Sequence, residues 1–93
     1  MQTPEAWLEH LRVERRASPR TLQAYADALA RLRTLAREDG VELAAAQPHH
    51  VRGWVARLHR QGLAPRSLAQ QLSAWRGLYR WWGHAGAVAV NPV

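Results

Sequence analysis

The side chains best suited to chemistry in this sequence are basic and amide groups spaced along one stretch near its end. Arg66, Gln70, Ser73, Gly77 and Arg80 follow one another at steps of three and four. At about 100° per residue that spacing places them on one side of a helix. The stretch from Pro65 to Trp82 contains no Asp or Glu, whereas a merely solvated face mixes charge signs. Arg makes bidentate contacts to phosphate and to the guanine edge, and Gln pairs with the adenine edge. A small Gly in the middle of such a face suits close approach by a large polyanion. A second feature is Ser18-Pro19-Arg20-Thr21. Backbone amides at a helix start, the positive end of the helix dipole, two hydroxyls and an Arg can together hold an anion. The same four residues also describe a capped helix that binds nothing. Arg12, Arg15 and Arg16 close a first helix, where they equally complement its C-terminal dipole.

Other chemistries lack their residues. There is no Cys, which excludes disulfides, thiolate metal sites and Cys nucleophiles. The spacing of His10, His49, His50, His59 and His84 matches no metal motif; His49 and His50 read as surface residues of a first helical turn. No Gly-rich phosphate loop occurs, and no paired carboxylates sit on one helix face near a pocket signal. Tyr25 and Tyr79 lie on apolar stripes and read as packing residues. The expectation is a binding domain with no catalytic residue, no cofactor and no metal.

Charge points the same way. All thirteen basic residues are Arg, the net charge is +6 and the isoelectric point is about 11.5. GC-rich coding accounts for Arg over Lys. It does not account for bases outnumbering acids almost two to one, which points to a polyanionic partner. No apolar run approaches the roughly 20 residues of a membrane span. The start, Met1-Gln2-Thr3-Pro4-Glu5, has neither the basic nor the apolar part of a signal peptide. A cytoplasmic location is expected.

The elements that must position these groups are helices. Thr3-Pro4 and Ser18-Pro19 each pair a hydroxyl cap with Pro at the first helical position. The first helix carries Trp7, Leu8 and Leu11 and ends near Glu14 to Arg16. The second carries Leu22, Tyr25, Leu29, Leu32 and Ala36 and stops at Gly40. Residues 41–47 form a connector from which Leu43 drops into the core. A third helix starts at Pro48 behind Gln47, a poor cap; it carries Val51, Trp54, Val55 and Leu58 and ends at Gly62. A fourth starts at Pro65 behind Ala64, carries Leu68, Leu72, Trp75, Tyr79 and Trp82, and closes at Gly83 and Gly86. Residues 87–93 read as extended linker. No segment alternates with period two, so the fold class is all-α, a compact four-helix bundle.

Two runs resemble a known family. Trp7-Leu8-Glu9-His10-Leu11-Arg12-Val13-Glu14-Arg15-Arg16-Ala17-Ser18-Pro19-Arg20-Thr21-Leu22-Gln23-Ala24-Tyr25 is similar to the opening of Xer-type tyrosine recombinases, the XerC branch most of all. Leu58-His59-Arg60-Gln61-Gly62-Leu63, then Arg66-Ser67-Leu68 and Leu72-Ser73-Ala74-Trp75-Arg76-Gly77-Leu78-Tyr79-Arg80, resembles the second signature of the same core-binding domain. Asn91-Pro92 looks like the junction between the family's two domains. The resemblance implies a SAM-like orthogonal bundle forming half of a clamp on double-stranded DNA, with the second and fourth helices in the major groove of a recombination half-site. Carried over, Ser18, Arg20 and Thr21 would contact DNA from the second helix. Arg66, Ser67, Ser73 and Arg76 would do so from the fourth, beside the Gln70 and Arg80 read from spacing. By helical angle Arg76 lies nearer the flank.

The sequence departs from the family where Gln70 and Gln71 stand in place of frequent Arg, leaving amides for base reading, and where Ala17 and Ala64 replace more polar residues. The resemblance further implies partner recombinase subunits on DNA. It also implies a catalytic domain, with Arg, Lys, His and a Tyr nucleophile, that cuts and rejoins strands through a phosphotyrosine, for chromosome dimer resolution or integration. None of that machinery lies in these 93 residues. Residues 1–86 are then the DNA-binding domain and 87–93 the start of a linker. Two other readings stay open. One is a SAM-like bundle for protein–protein interaction. The other is a membrane-surface bundle, which needs exposed aromatics such as Trp81 beside the arginines.

Overall fold

The computed structural model describes residues 3–93; Met1 and Gln2, part of the start that lacks signal-peptide character, lie outside the described residues. Among the described residues there are four α-helices and no strand: α1 (Pro4–Val13), α2 (Pro19–Glu38), α3 (Pro48–Arg60) and α4 (Pro65–His84). The molecule measures 36 × 29 × 17 Å. With helix axes 8–10 Å apart, the thin dimension is two helix layers. The expected all-α bundle is what forms.

The helix starts follow local chemistry. Thr3 Oγ1 accepts from the Ala6 N–H at 3.2 Å, and Ser18 Oγ from the Thr21 N–H at 3.1 Å. Gln47 does better than its residue type promises, because its own N–H donates to His50 Nδ1 at 2.9 Å. His50 also stacks on Trp54, so it is a half-buried structural residue rather than a plain surface one. Ala64 offers no side-chain cap to α4.

The helix ends share one device. Gly40 stands in the left-handed region at φ 66°, donating to the Arg37 carbonyl, while the next residue, Val41, donates to that of Ala36. This is the Schellman closure, which suits Gly because it lacks a Cβ. Gly62 and Gly86 end α3 and α4 with the same pair of bonds. Gly83 lies inside α4. The end of α1 differs: Arg16 takes the left-handed conformation at φ 51°, where a Cβ costs about 1 kcal/mol or more.

The core joins all four helices. Trp7, Leu29, Leu32, Leu35, Val51, Trp54, Leu58, Trp75, Leu78, Tyr79 and Trp82 are buried. Trp75 Nε1 donates to the Ala28 carbonyl at 2.9 Å, pinning α4 to α2. The connector contains a short 3₁₀ turn, Leu43–Ala45, held where the Tyr79 hydroxyl donates to the Leu43 carbonyl at 2.7 Å. Leu43 packs against the core as half-buried, while its neighbour Ala46 is fully buried.

Residues 87–93 form neither helix nor strand, bend at 87, 89 and 90, and do not stand free. Val88 and Pro92 are buried, and Pro92 and Val93 line a cleft with Val51, Val55 and Leu72 of α3 and α4. Apolar residues at 88, 92 and 93 give the tail something to bury, a signal that Asn-Pro turn chemistry alone does not carry.

Candidate nucleic-acid interface

The sequence stripe on α4 omits two residues that the structure buries. Ala74 is 2% exposed and Leu78 1%, whereas Leu68 and Leu72 are only half-buried. The inward face is therefore rotated relative to the expected one, and the outward face rotates with it. Arg66, Gln70, Ser73, Arg76 and Arg80 are all exposed, so Arg76 belongs to the open face and not to its flank. Gly77 moves the other way. A Cβ built there would lie 3.5 Å from Trp7 Cζ2, so this glycine meets α1 and lines the groove between the two helices. Ser67 is half-buried on the inward side, as is Gln71, whose Oε1 is occluded without a partner. The Gln71 carbonyl oxygen is not open to a base edge.

At the start of α2, Ser18 and Arg20 are exposed and Thr21 half-buried. The two hydroxyls are occupied with each other: Ser18 Oγ donates to Thr21 Oγ1 at 3.0 Å while capping the Thr21 N–H. Pro19 has no N–H, and Leu22 donates to the Ser18 carbonyl. One first-turn N–H, that of Arg20, is left for an anion. The structure thus favours the capping role for Ser18 and Thr21, with Arg20 as the open cation.

The two helices share an end. Ser73 and Tyr25 line one groove, Trp75 reaches Ala28, and Trp82 and Ala36 line one cleft. Contacts advance along both helices in the same order, so α2 and α4 run in the same direction. Their N-termini, with Arg20 and Arg66, lie at one end of the molecule. Further along α4, Ser73, Arg76 and Arg80 form one wall of a groove of about 560 Å³, opposite His10, Leu11 and Arg15. Its aromatic lining is Trp7, stacked on Tyr25 at 5.6 Å, and Trp81, packed on His10 at 6.2 Å. Trp81 is half-buried by that contact; the large apolar residues that stand exposed among those described are Val13 and Val90. The exposed aromatic that a membrane-surface bundle needs is not Trp81, and no described helix is long and apolar enough to cross a membrane.

The ion pairs of the described residues involve none of the arginines on this face. Arg12 pairs with Glu9, Arg33 with Glu5, and Arg57 with Glu38 and Asp39. Among the described residues Arg15, Arg20, Arg66, Arg76 and Arg80 make no ion pair. The last carboxylate in the sequence is Glu42, and the seven arginines before it balance the seven acids. The whole net charge of +6 therefore resides in residues 43–93. Counting acids over the half-chain would have shown this from sequence; the spacing argument on one helix did not. Arg15 reads from sequence equally as a helix-dipole residue or a free cation, and nothing local signals that α1 brings it opposite α4.

Nucleophilic chemistry finds no support here. Burial raises the Tyr79 hydroxyl well above its ordinary pKa, and it is bonded to Leu43. Tyr25 is half-buried against Trp7. Among the described residues no group of three His, Asp or Glu could hold a metal ion.

Comparison with known proteins agrees with the family resemblance. Residues 5–86 match the phage integrase N-terminal SAM-like domain. Tyrosine recombinase XerC 1 of Ralstonia nicotianae is 46% identical over 91 residues, covering 95% of this chain and 28% of that protein. Tyrosine recombinases XerC of Pseudomonas putida and Pseudomonas aeruginosa are each 43% identical over 90 residues, covering 96% of this chain and 30% of theirs. The chain thus spans less than a third of the length of these relatives. No solved structure matches it.

Proposed function

The chain belongs to the phage integrase N-terminal SAM-like domain family, and from that premise we propose that it is the DNA-binding domain of a site-specific tyrosine recombinase. The observation that carries the reading is the exposed, acid-free strip Arg66–Gln70–Ser73–Arg76–Arg80, whose arginines have no carboxylate partner among the described residues. Such cations release counterions when they meet phosphates, which drives binding. The five residues span 14 positions of α4, about 21 Å at 1.5 Å per residue. That is enough to engage several phosphates and the base edges between them.

In this reading residues 1–86 clamp duplex DNA at a recombination half-site, and 87–93 begin the linker, its first residues packed onto α3 and α4. Strand cleavage through a phosphotyrosine belongs to a catalytic domain outside these residues. This domain supplies binding and site discrimination alone, beside partner recombinase subunits on the same DNA, in the cytoplasm. Within the site, Arg20, Arg66, Arg76 and Arg80 contact phosphate or guanine and Gln70 and Ser73 face the groove. Ser18 and Thr21 hold the start of α2, which presents Arg20, and Ser67 stands beside Arg66 at the start of α4.

The test is an amide-shift NMR titration with a duplex carrying an inverted-repeat recombination site, at low and moderate salt. Shifts concentrated at residues 18–21 and 66–80, weakening with salt, are expected. Shifts spread evenly over all arginines would mean non-specific attraction only. No shift at low salt would overturn the reading in favour of a protein-interaction bundle.

A further inference from the structure

On the outer face of α2, one turn beyond Arg20, Gln23 and Asp27 are both exposed and bonded to each other. Gln23 Nε2 donates to Asp27 Oδ1 at 2.9 Å. An ionised carboxylate only accepts, so the pair cannot form with the amide turned over. The bond therefore fixes which way the Gln23 amide faces: its nitrogen toward Asp27, its Oε1 away. Arg20 and Gln23 are three apart and share a helix face. A carboxylate on a face that meets phosphates costs affinity, and among the described residues the side chain that Asp27 bonds is that of Gln23. What that bond does is orient Gln23.

We infer that Gln23 is a base-reading residue of this domain and Asp27 the positioning residue that presets its amide, an inference that rests on the DNA-binding function proposed above. Held by Asp27, Gln23 presents Oε1 as an acceptor with its second N–H as a donor. That acceptor–donor pair answers adenine, which offers the N6 amino donor and the N7 acceptor in the major groove. An exposed Gln ordinarily loses rotamer freedom on binding, at about 0.5–1.5 kcal/mol per immobilised side chain. Asp27 removes part of that loss before DNA arrives. The carboxylate acts on total affinity and on base preference with opposite signs. It repels the backbone at every sequence, yet sharpens discrimination at one position.

The opposed signs make the test. The 93-residue chain is presented with a library of duplexes randomised over one half-site, and bound molecules are sequenced, for wild type, Gln23→Ala, Asp27→Ala and Asp27→Glu. Wild type is expected to prefer adenine at one position by about tenfold, within the range of a bidentate amide–adenine pair. Gln23→Ala should abolish that preference alone. Asp27→Ala should cut it about threefold while raising binding to every duplex, and Asp27→Glu, which still accepts from Nε2, should retain it. Asp27→Ala raising all affinities with preferences unchanged would overturn the inference and leave Asp27 as a repelling charge only. Binding without an adenine preference that Gln23→Ala removes would overturn it too, with the DNA-binding function intact. No binding to any duplex at low salt would overturn both.

Discussion

Replacing Gly77 by Ala separates two accounts of that glycine. If it opens the outer face of α4 to DNA, a methyl there obstructs the approach. The structure instead points the missing Cβ at Trp7 Cζ2, 3.5 Å away, an ordinary van der Waals distance that asks for no rearrangement. Gly77 has no positive φ, so Ala fits its backbone. Ala in a helix interior gains about 1 kcal/mol over Gly. The half-buried methyl adds part of the roughly 0.8 kcal/mol of a buried CH₂. Gly53 is the control: it lies within α3 and its Cβ would meet nothing within 4 Å, so Gly53→Ala reports helix propensity alone. For a domain of this size 1 kcal/mol raises Tm by about 4–8 °C. Thermal unfolding followed by far-UV circular dichroism should show both variants stabilised, Gly77→Ala at least as much as Gly53→Ala, and duplex affinity unchanged in each. A Gly77→Ala protein less stable than Gly53→Ala would refute the packing argument. Equal stabilisation with weakened DNA binding would return Gly77 to the interface.

Ala64→Ser should stabilise the domain by about 1 kcal/mol, because α4 lacks a side-chain cap and residue 64 already has the extended backbone of an N-cap; a urea midpoint that does not rise counts against it. Arg66→Ala should weaken duplex binding and flatten the slope of log affinity against log salt by about 1, with an unchanged helical spectrum; an unaltered slope removes Arg66 from the phosphate contacts. The Trp54 indole N–H and the Arg57 guanidinium hold the Asp39 carboxyl below its ordinary range. A carboxyl lowered on folding contributes stability above its unfolded pKa of about 3.9, and that stability fades as pH falls through the folded value. Asp39→Asn should therefore lower Tm at pH 7 and lose less of it than wild type between about pH 5 and 3; parallel curves would show that the pair does not couple to folding.

How much of the interface was legible depends on which kind of information each residue needs. Arg66, Gln70, Ser73 and Arg80 could be placed on one face by spacing alone, and all four are exposed. Arg76 and Gly77 were exchanged because Ala74 and Leu78 take part in the buried face. An alanine beside tryptophans gives no hydropathic sign of which way it turns. The half-buried Ser67 and the occluded Gln71 oxygen follow from the same rotation. Gln23 was quoted within a motif yet not singled out, because its partner Asp27 reads in sequence as one acid in a mixed helix.

Sequence by itself determined where each helix begins and where three of them end. Thr3-Pro4, Ser18-Pro19, Pro48 and Pro65 start them, and Gly40, Gly62 and Gly86 stop three of them, because caps and left-handed closures are made within one turn of chain. It also pointed to a polyanionic partner, since net charge needs no coordinates. Tertiary structure alone decided how far α4 is rotated about its axis, that Arg15 stands across a groove from Arg76 and Arg80, and that residues 87–93 fold back onto α3 and α4. Those outcomes depend on which side chains of other helices fill the space beside a given face, and that is set by packing between residues far apart in the chain.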